Sequence, residues 1–263
     1  ILLQNPWTET IVQNEPFWDN VAISKDGKRL AAISNEIDTA LYVYDFNSKK
    51  WSKFHLYNPT TSHTNTNAGG VLYADALEFD HTGQYLMYDA FNELNSTTYE
   101  DISYWDIGFI RVWDNTNNRF GDGYISKLFT SLPEKVSVGN ATFSKNSANI
   151  IAFDFVDEAT NEYAVLGANL ETGELNVIYE QSVLGYPSFS KDDRKLAFSA
   201  KSLTNQDVIG VIPLAANKIT PSGQASILVQ DATWPVFFTK GTRNLGLAPV
   251  ANFSVDLKSG KSP

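Results

Sequence analysis

Apolar positions along this chain fall in short runs separated by clusters of Gly, Asp, Asn and Ser, and no segment sustains a 3.6-residue apolar period. Runs such as "NVAIS", "RLAAIS" and "LYVYDF" have the length and the β-branched or aromatic content of strands. The pattern predicts an all-β chain.

The runs also repeat. "SKDGKRLAAIS" from Ser24 returns as "SKDDRKLAFSA" from Ser190, and more loosely as "DHTGQYLMYDA" from Asp80, "SKNSANIIAFD" from Ser144 and "TKGTRNLGLAP" from Thr239. Each copy follows a segment that ends in apolar residues, so each reads as strand, tight turn, strand, with Gly, Asp or Asn supplying the left-handed turn positions. A second word follows in four of the five units: Asp45 in "LYVYDFNSKK", Asp114 in "IRVWDNTNNR", Asn169 in "LGANLETGE" and Asp256 in "NFSVDLKSGK". A short polar side chain there can accept backbone N–H groups two residues on, which predicts a second hairpin. Strand-like runs come next, namely "WSKFHLY", "ISKLFT" and "LNVIYE".

Four antiparallel strands per unit, with first turns 56, 64, 46 and 49 residues apart, predict the blades of a β-propeller. The expected blades cover residues 17–57, 73–130, 138–180, 185–229 and 233–263. The last unit stops after its second turn, while "WTETIVQNEP" from Trp7 matches "WSKFHLYNP" from Trp51. Residues 1–13 are therefore expected to complete the fifth blade, which removes an open sheet edge. The other arrangement that fits is a fragment of a six- to eight-bladed ring.

Composition narrows the function. With 30 acidic and 20 basic residues, the formal charge of −10 has the wrong sign for gripping a nucleic-acid backbone. No apolar run approaches the roughly 20 residues of a membrane helix, and the first ten residues lack the basic and apolar regions of a signal peptide. The chain has no cysteine, which excludes disulfides, zinc–thiolate sites and thiol nucleophiles.

The turn-and-strand word in "VAISKDGKRLAAIS" and "PSFSKDDRKLAFSA", followed by "YVYD", resembles the WD40-like repeat of the TolB propeller family, blade by blade over essentially the whole chain. Asp80 and His81 in the second unit and "TKGTRN" in the fifth depart from it. The resemblance implies a periplasmic or secreted bacterial scaffold that binds proteins or peptides without catalysis.

Candidate sites follow from the propeller, in which the loops before the innermost strands surround the central channel on one face. Aligned on the turns, those positions are Asp19 and Asn20, Asp75 and Ala76, Gly139 and Asn140, Gly185 and Tyr186, and Thr233 and Trp234. Such a polar and aromatic ring suits a ligand or partner; the plainer expectation is that these residues cap strands and plug the channel. Two long connections share that face: Asn58 to Tyr73, with His63, and Phe91 to Asp106, with Glu93, Tyr99, Tyr104 and Trp105. They are read either as interface loops or as excursions whose aromatics pack back on the sheet.

Catalytic supply is thin. There is no G-x-S-x-G or H-E-x-x-H sequence, His63 has no identifiable partner, and His55 and His81 are placed in a strand and in an opposite-face turn. Asp114 to Asp122 is oxygen-rich but lacks the glycine and terminal glutamate of a calcium loop. The expectation is a binding propeller for a protein or peptide, with no catalytic residues, metal or cofactor. The alternative is a five-bladed carbohydrate-active propeller, hydrolytic or lectin-like, that uses carboxylates such as Asp19, Asp75 and Glu78 on a small glycan.

Overall fold

The computed structural model describes residues 11–14, 17–36, 38–59, 66–67, 71–96 and 102–237. Four successive antiparallel sheets account for most of them. The first is β1 (Trp18–Ile23), β2 (Arg29–Ser34), β3 (Ala40–Asp45) and β4 (Lys50–His55), in that order. Next come β5 (Thr66–Asn67), β6 (Val71–Phe79), β7 (Tyr85–Ser96) and β8 (Ile102–Arg111). A small hairpin of β9 (Trp113–Asp114) and β10 (Arg119–Phe120) precedes β11 (Ile125–Lys127). In this second sheet β6, β7, β8 and β11 lie side by side, and β5 continues the edge of β7 beyond the end of β6. The third sheet is β12 (Val136–Phe143), β13 (Ile150–Asp157), β14 (Glu162–Asn169) and β15 (Glu174–Gln181). The fourth is β16 (Ser188–Phe189), β17 (Lys195–Lys201), β18 (Asp207–Pro213) and β19 (Ser226–Gln230).

The innermost strands β1, β6, β12 and β16 touch in sequence, which is the arrangement of propeller blades. Apolar layers fill the spaces between blades. Leu41, Val43 and Phe54 meet Phe79, Leu86 and Tyr88 between the first two blades. Met87, Ile107 and Phe109 meet Val138, Phe143 and Phe153 in the next layer, and Ala152, Val165 and Ile178 meet Phe189, Leu196 and Phe198 in the last. A blade covered on both sides needs apolar residues on both faces of its strands. The first five residues of β13 are accordingly all buried, whereas β1 alternates between half-buried and exposed.

The repeated word forms the turn between the first two strands of each of the four described blades. Ser24 Oγ donates to Asp26 Oδ1 at 2.7 Å and accepts the Arg29 N–H at 3.0 Å, and Ser190 does the same with Asp192 and Lys195 at 2.8 and 3.0 Å. In the second blade Asp80 replaces the serine and accepts the Thr82 and Tyr85 N–H groups at 3.1 and 2.9 Å. The second word behaves as expected where it is described: Asp45, Asp114 and Asn169 accept N–H groups two or three residues on.

The segment from Phe91 to Asp106, expected as a long connecting loop, is mostly strand. β7 runs on to Ser96 and β8 starts at Ile102, with Phe91 paired to Trp105 and Glu93 to Ser103. Alternating apolar and polar residues in "FNELNS" and "ISYWD" allow the hairpin to grow past its own innermost strand. The other long connection supplies β5, which pairs Thr66 and Asn67 with Ser96 and Asn95.

After β19 the chain returns to the inner edge of the fourth blade, where Trp234 N–H donates to Ser199 Oγ at 2.8 Å and Phe237 N–H to Ser188 Oγ at 3.0 Å. The remainder of the expected fifth blade from residue 238, and residues 1–10 of the expected closing strand, lie outside the described residues; residues 11–14 carry no strand.

Candidate functional site

The positions that open the innermost strands share one local structure. Pairing between the first and second strand of a blade slips at Trp18/Val21, at Ala74/Leu77 and at Gly139/Thr142. Asp19, Asp75 and Asn140 thus sit at β-bulges, which re-aim a strand and leave backbone groups without ladder partners. Asn140, Tyr186 and Trp234 also have positive φ, at 52°, 48° and 56°.

One column of the second strands satisfies those backbone groups. Asp89 on β7 accepts the Ala76 N–H at 2.6 Å within its own blade and the Asn140 N–H at 2.8 Å from the next. Asp154 on β13 accepts the Gly185 and Tyr186 N–H groups at 2.8 and 3.0 Å, and the Asn140 side-chain amide at 2.9 Å. Ser199 on β17 completes the series by accepting the Trp234 N–H. From the second blade onward, this column ties down the residues that follow in the next part of the chain. In the first blade the same column holds Ile33, and no carboxylate reaches forward from it. Gly139 and Gly185 precede two of the capped residues because the carboxylates come close: an added Cβ would lie 3.0 Å from Asp89 Oδ2 or 2.9 Å from Asp154 Oδ1.

Asp89 and Asp154 are buried. Burial raises both pKa values, N–H donors pull them back, and each is pushed up to about 6. The charges also act in a chain: Asp19 raises Asp75, Asp75 raises Asp89, and Asp89 raises Asp154. Glu78, on the innermost strand β6, is held differently. Burial opposes its ionisation, yet Lys25 and Lys145 prevail and lower its pKa. It pairs with Lys25 Nζ at 2.6 Å and accepts Thr142 Oγ1 and Phe143 N–H at 2.9 Å each, which links the first blade to the third.

Above this ladder lies a cavity of about 310 Å³. Its lining brings together five residues singled out from the sequence: Asp75, Trp105, Gly139, Asn140 and Tyr186. Asp89, Asp154, Glu158 and Tyr163 join them. Trp105 is steadied from behind by Tyr73 and Phe91, with ring centroids 5.6 and 5.4 Å away, and its backbone N–H donates to Ser137 Oγ at 3.2 Å. Trp234 meets Tyr186 edge-on at 6.0 Å and is 67% exposed. Asp19 is exposed and reaches the group through its charge on Asp75. Glu93 is half-buried in the β7–β8 hairpin and does not line the cavity. His63 and Tyr99 lie outside the described residues.

Beside the cavity, the second blade holds the connection from the first through a buried polar cluster. Lys127 pairs with Asp106 and donates to Asn58 Oδ1 at 3.1 Å, while the Asn58 amide donates to Tyr104 Oη at 2.8 Å and Asn92 Oδ1 at 3.1 Å. Sequence reading missed this cluster, and it missed the ladder. The ladder had a signal: Asp89, Asp154 and Ser199 are polar residues in the same column of otherwise apolar strands, "LMYDAF", "IIAFDF" and "KLAFSA". Chemically the ladder carboxylates serve as backbone acceptors, since each oxygen already takes an N–H.

No protein-family model matches this chain, and no curated protein does. Solved structures do. The chain is similar to regucalcin from Agrobacterium tumefaciens, a calcium-binding protein, at 11% identity over 82% of this chain and 60% of that one, with a TM-score of 0.48. It is similar to TolB from Acinetobacter baumannii at 16% identity over 83% and 57% of the two chains, with a TM-score of 0.39. Oligogalacturonate lyase from Vibrio parahaemolyticus matches at 13% identity over 89% and 71%, with a TM-score of 0.42. The chain spans about three fifths of the length of the first two. The neighbours thus include TolB proteins, as the repeated word led one to expect, and their likeness concerns the blades alone.

Proposed function

We propose that this propeller is a non-catalytic binding module that holds a protein or peptide segment on the face bearing the Trp105 cavity. One observation carries the reading: β8 brings Trp105 to a cavity also walled by Tyr163 and Tyr186, on a hairpin that extends past its innermost strand. Steadied aromatics at the mouth of a concave site supply large contact area at small cost in side-chain freedom, as interface anchors do. The setting we propose is periplasmic or secreted, as the resemblance of the repeat implies. Among the described residues no helix is long and apolar enough to cross a membrane.

Selection of a displayed random-peptide library on the full chain tests the reading. Enriched peptides are expected to bind roughly tenfold or more weakly to a Trp105→Phe, Tyr163→Ala double variant that keeps the wild-type circular dichroism. Trp105→Phe retains a ring against Tyr73 and Phe91, so the rim survives. Absence of any enrichment, or equal binding to both proteins, would reject it.

A further inference from the structure

The cavity has an electrostatic peculiarity that partner binding in general does not explain. Four carboxylates line it, those of Asp75, Asp89, Asp154 and Glu158, and among the described residues no lysine, arginine or histidine does. Two of them are buried, and each neighbour in the series disfavours ionisation of the next. In a low-dielectric recess such repulsion is weakly screened, so the cavity is a sink for positive charge.

The kind of cation follows from the oxygen atoms. A compact divalent ion requires six or more oxygen ligands at short range. The oxygens of Asp89 and Asp154 are already occupied by N–H groups of residues 76, 140, 185 and 186. Among the described residues no group of three or more acidic, histidine or cysteine side chains is placed to hold a metal. What remains is a strong negative field with aromatic walls. That combination favours a larger cation whose charge can rest on an aromatic face while its donors reach the rim. The volume, at the low end of the roughly 300–1,000 Å³ of small-molecule pockets, admits a group of side-chain size.

We infer that the cavity receives an organic cation, an alkylammonium or guanidinium group, held between the aromatic wall of Trp105, Tyr163 and Tyr186 and the rim carboxylates of Asp75 and Glu158. The source that fits the proposed function, on which this part of the inference rests, is a lysine or arginine side chain of the bound segment. A free polyamine carries the same chemistry.

Calorimetric titration of the full chain with N-acetyl-arginine methylamide, with spermidine and with calcium chloride separates these cases. Saturable binding of the arginine derivative is expected, weakened at least tenfold in an Asp75→Asn, Glu158→Gln double variant and weakened by raising salt from about 0.02 to 0.3 M. Both substituted residues are exposed, and an unchanged melting curve confirms the fold. Binding of spermidine alone would keep the cation site and overturn the peptide source. No binding of either organic cation, equal affinity in the double variant, or displacement of the arginine derivative by calcium would overturn the inference. Peptides that need Trp105 but carry no basic residue would sink this inference and leave the proposed function standing. A cation site without any enriched peptide would do the reverse.

Discussion

Gly185 shows how closely the ladder is fitted at the scale of one residue. Its φ is not left-handed, so its role is close approach: a Cβ there would lie 2.5 Å from Val165 Cγ2 and 2.9 Å from Asp154 Oδ1. Gly185→Ala is expected to destabilise the chain by about 1–3 kcal/mol, read as a lower urea midpoint with an unchanged slope. An unaltered midpoint would mean that the fourth blade's first residues shift freely. From the sequence alone, Gly139 and Gly185 were lead-in positions of unknown purpose. The reason for them, a carboxylate from the preceding blade, belongs to a residue 31 positions away in the case of Asp154 and Gly185.

At the scale of elements, Asp193 explains a departure within the repeated word. It occupies the slot that Gly27 and Gly83 fill in the first two blades, with φ of 56° beside their 71° and 68°. Its buried carboxylate bonds the N–H groups of Lys145 and Asn146 and, at 2.8 Å, Lys218 Nζ. The turn of the fourth blade thereby clasps the turn of the third on the face opposite the cavity. Asp193→Gly removes the carboxylate and relaxes the backbone, and the loss of acceptors prevails: a cost of about 1–3 kcal/mol is expected in chemical denaturation. A gain in stability would show that relief of strain outweighs the clasp. The turns themselves were legible in the sequence, because Ser, Asp, Asn and Gly at those offsets have few other uses. The β7–β8 extension was not, since a polar-rich alternating stretch reads equally well as a loop until its pairing is seen.

For the whole molecule, the ladder makes cohesion between blades depend on pH. Asp89 and Asp154 hold protons up to about pH 6 in the folded state, against roughly 4 in the unfolded chain. Folding therefore takes up protons between those values, and the contribution of these two groups grows as pH falls from above 6 to below 4. Denaturation midpoints of the wild type and of Asp89→Asn, measured from pH 7 to pH 4.5, are expected to diverge toward acid, with the wild type gaining on the variant. The other carboxylates are common to both proteins. A gap that stays constant or narrows would mean that Asp89 is ionised throughout.

The sequence by itself determined the blade as a unit. Its strands and two turns are specified by residues close together in the chain, and the propeller class follows from their repetition. It also marked the lead-in positions, of which Asp75, Asn140 and Tyr186 line one cavity with Trp105. Only the tertiary structure decided what those positions do, because the backbone groups of Asn140 and Tyr186 are satisfied by the preceding blade and the charge of Asp75 is disfavoured by burial. Neither a cap supplied from another sheet nor the loss of water around a carboxylate leaves a local pattern; both arise when the blades pack.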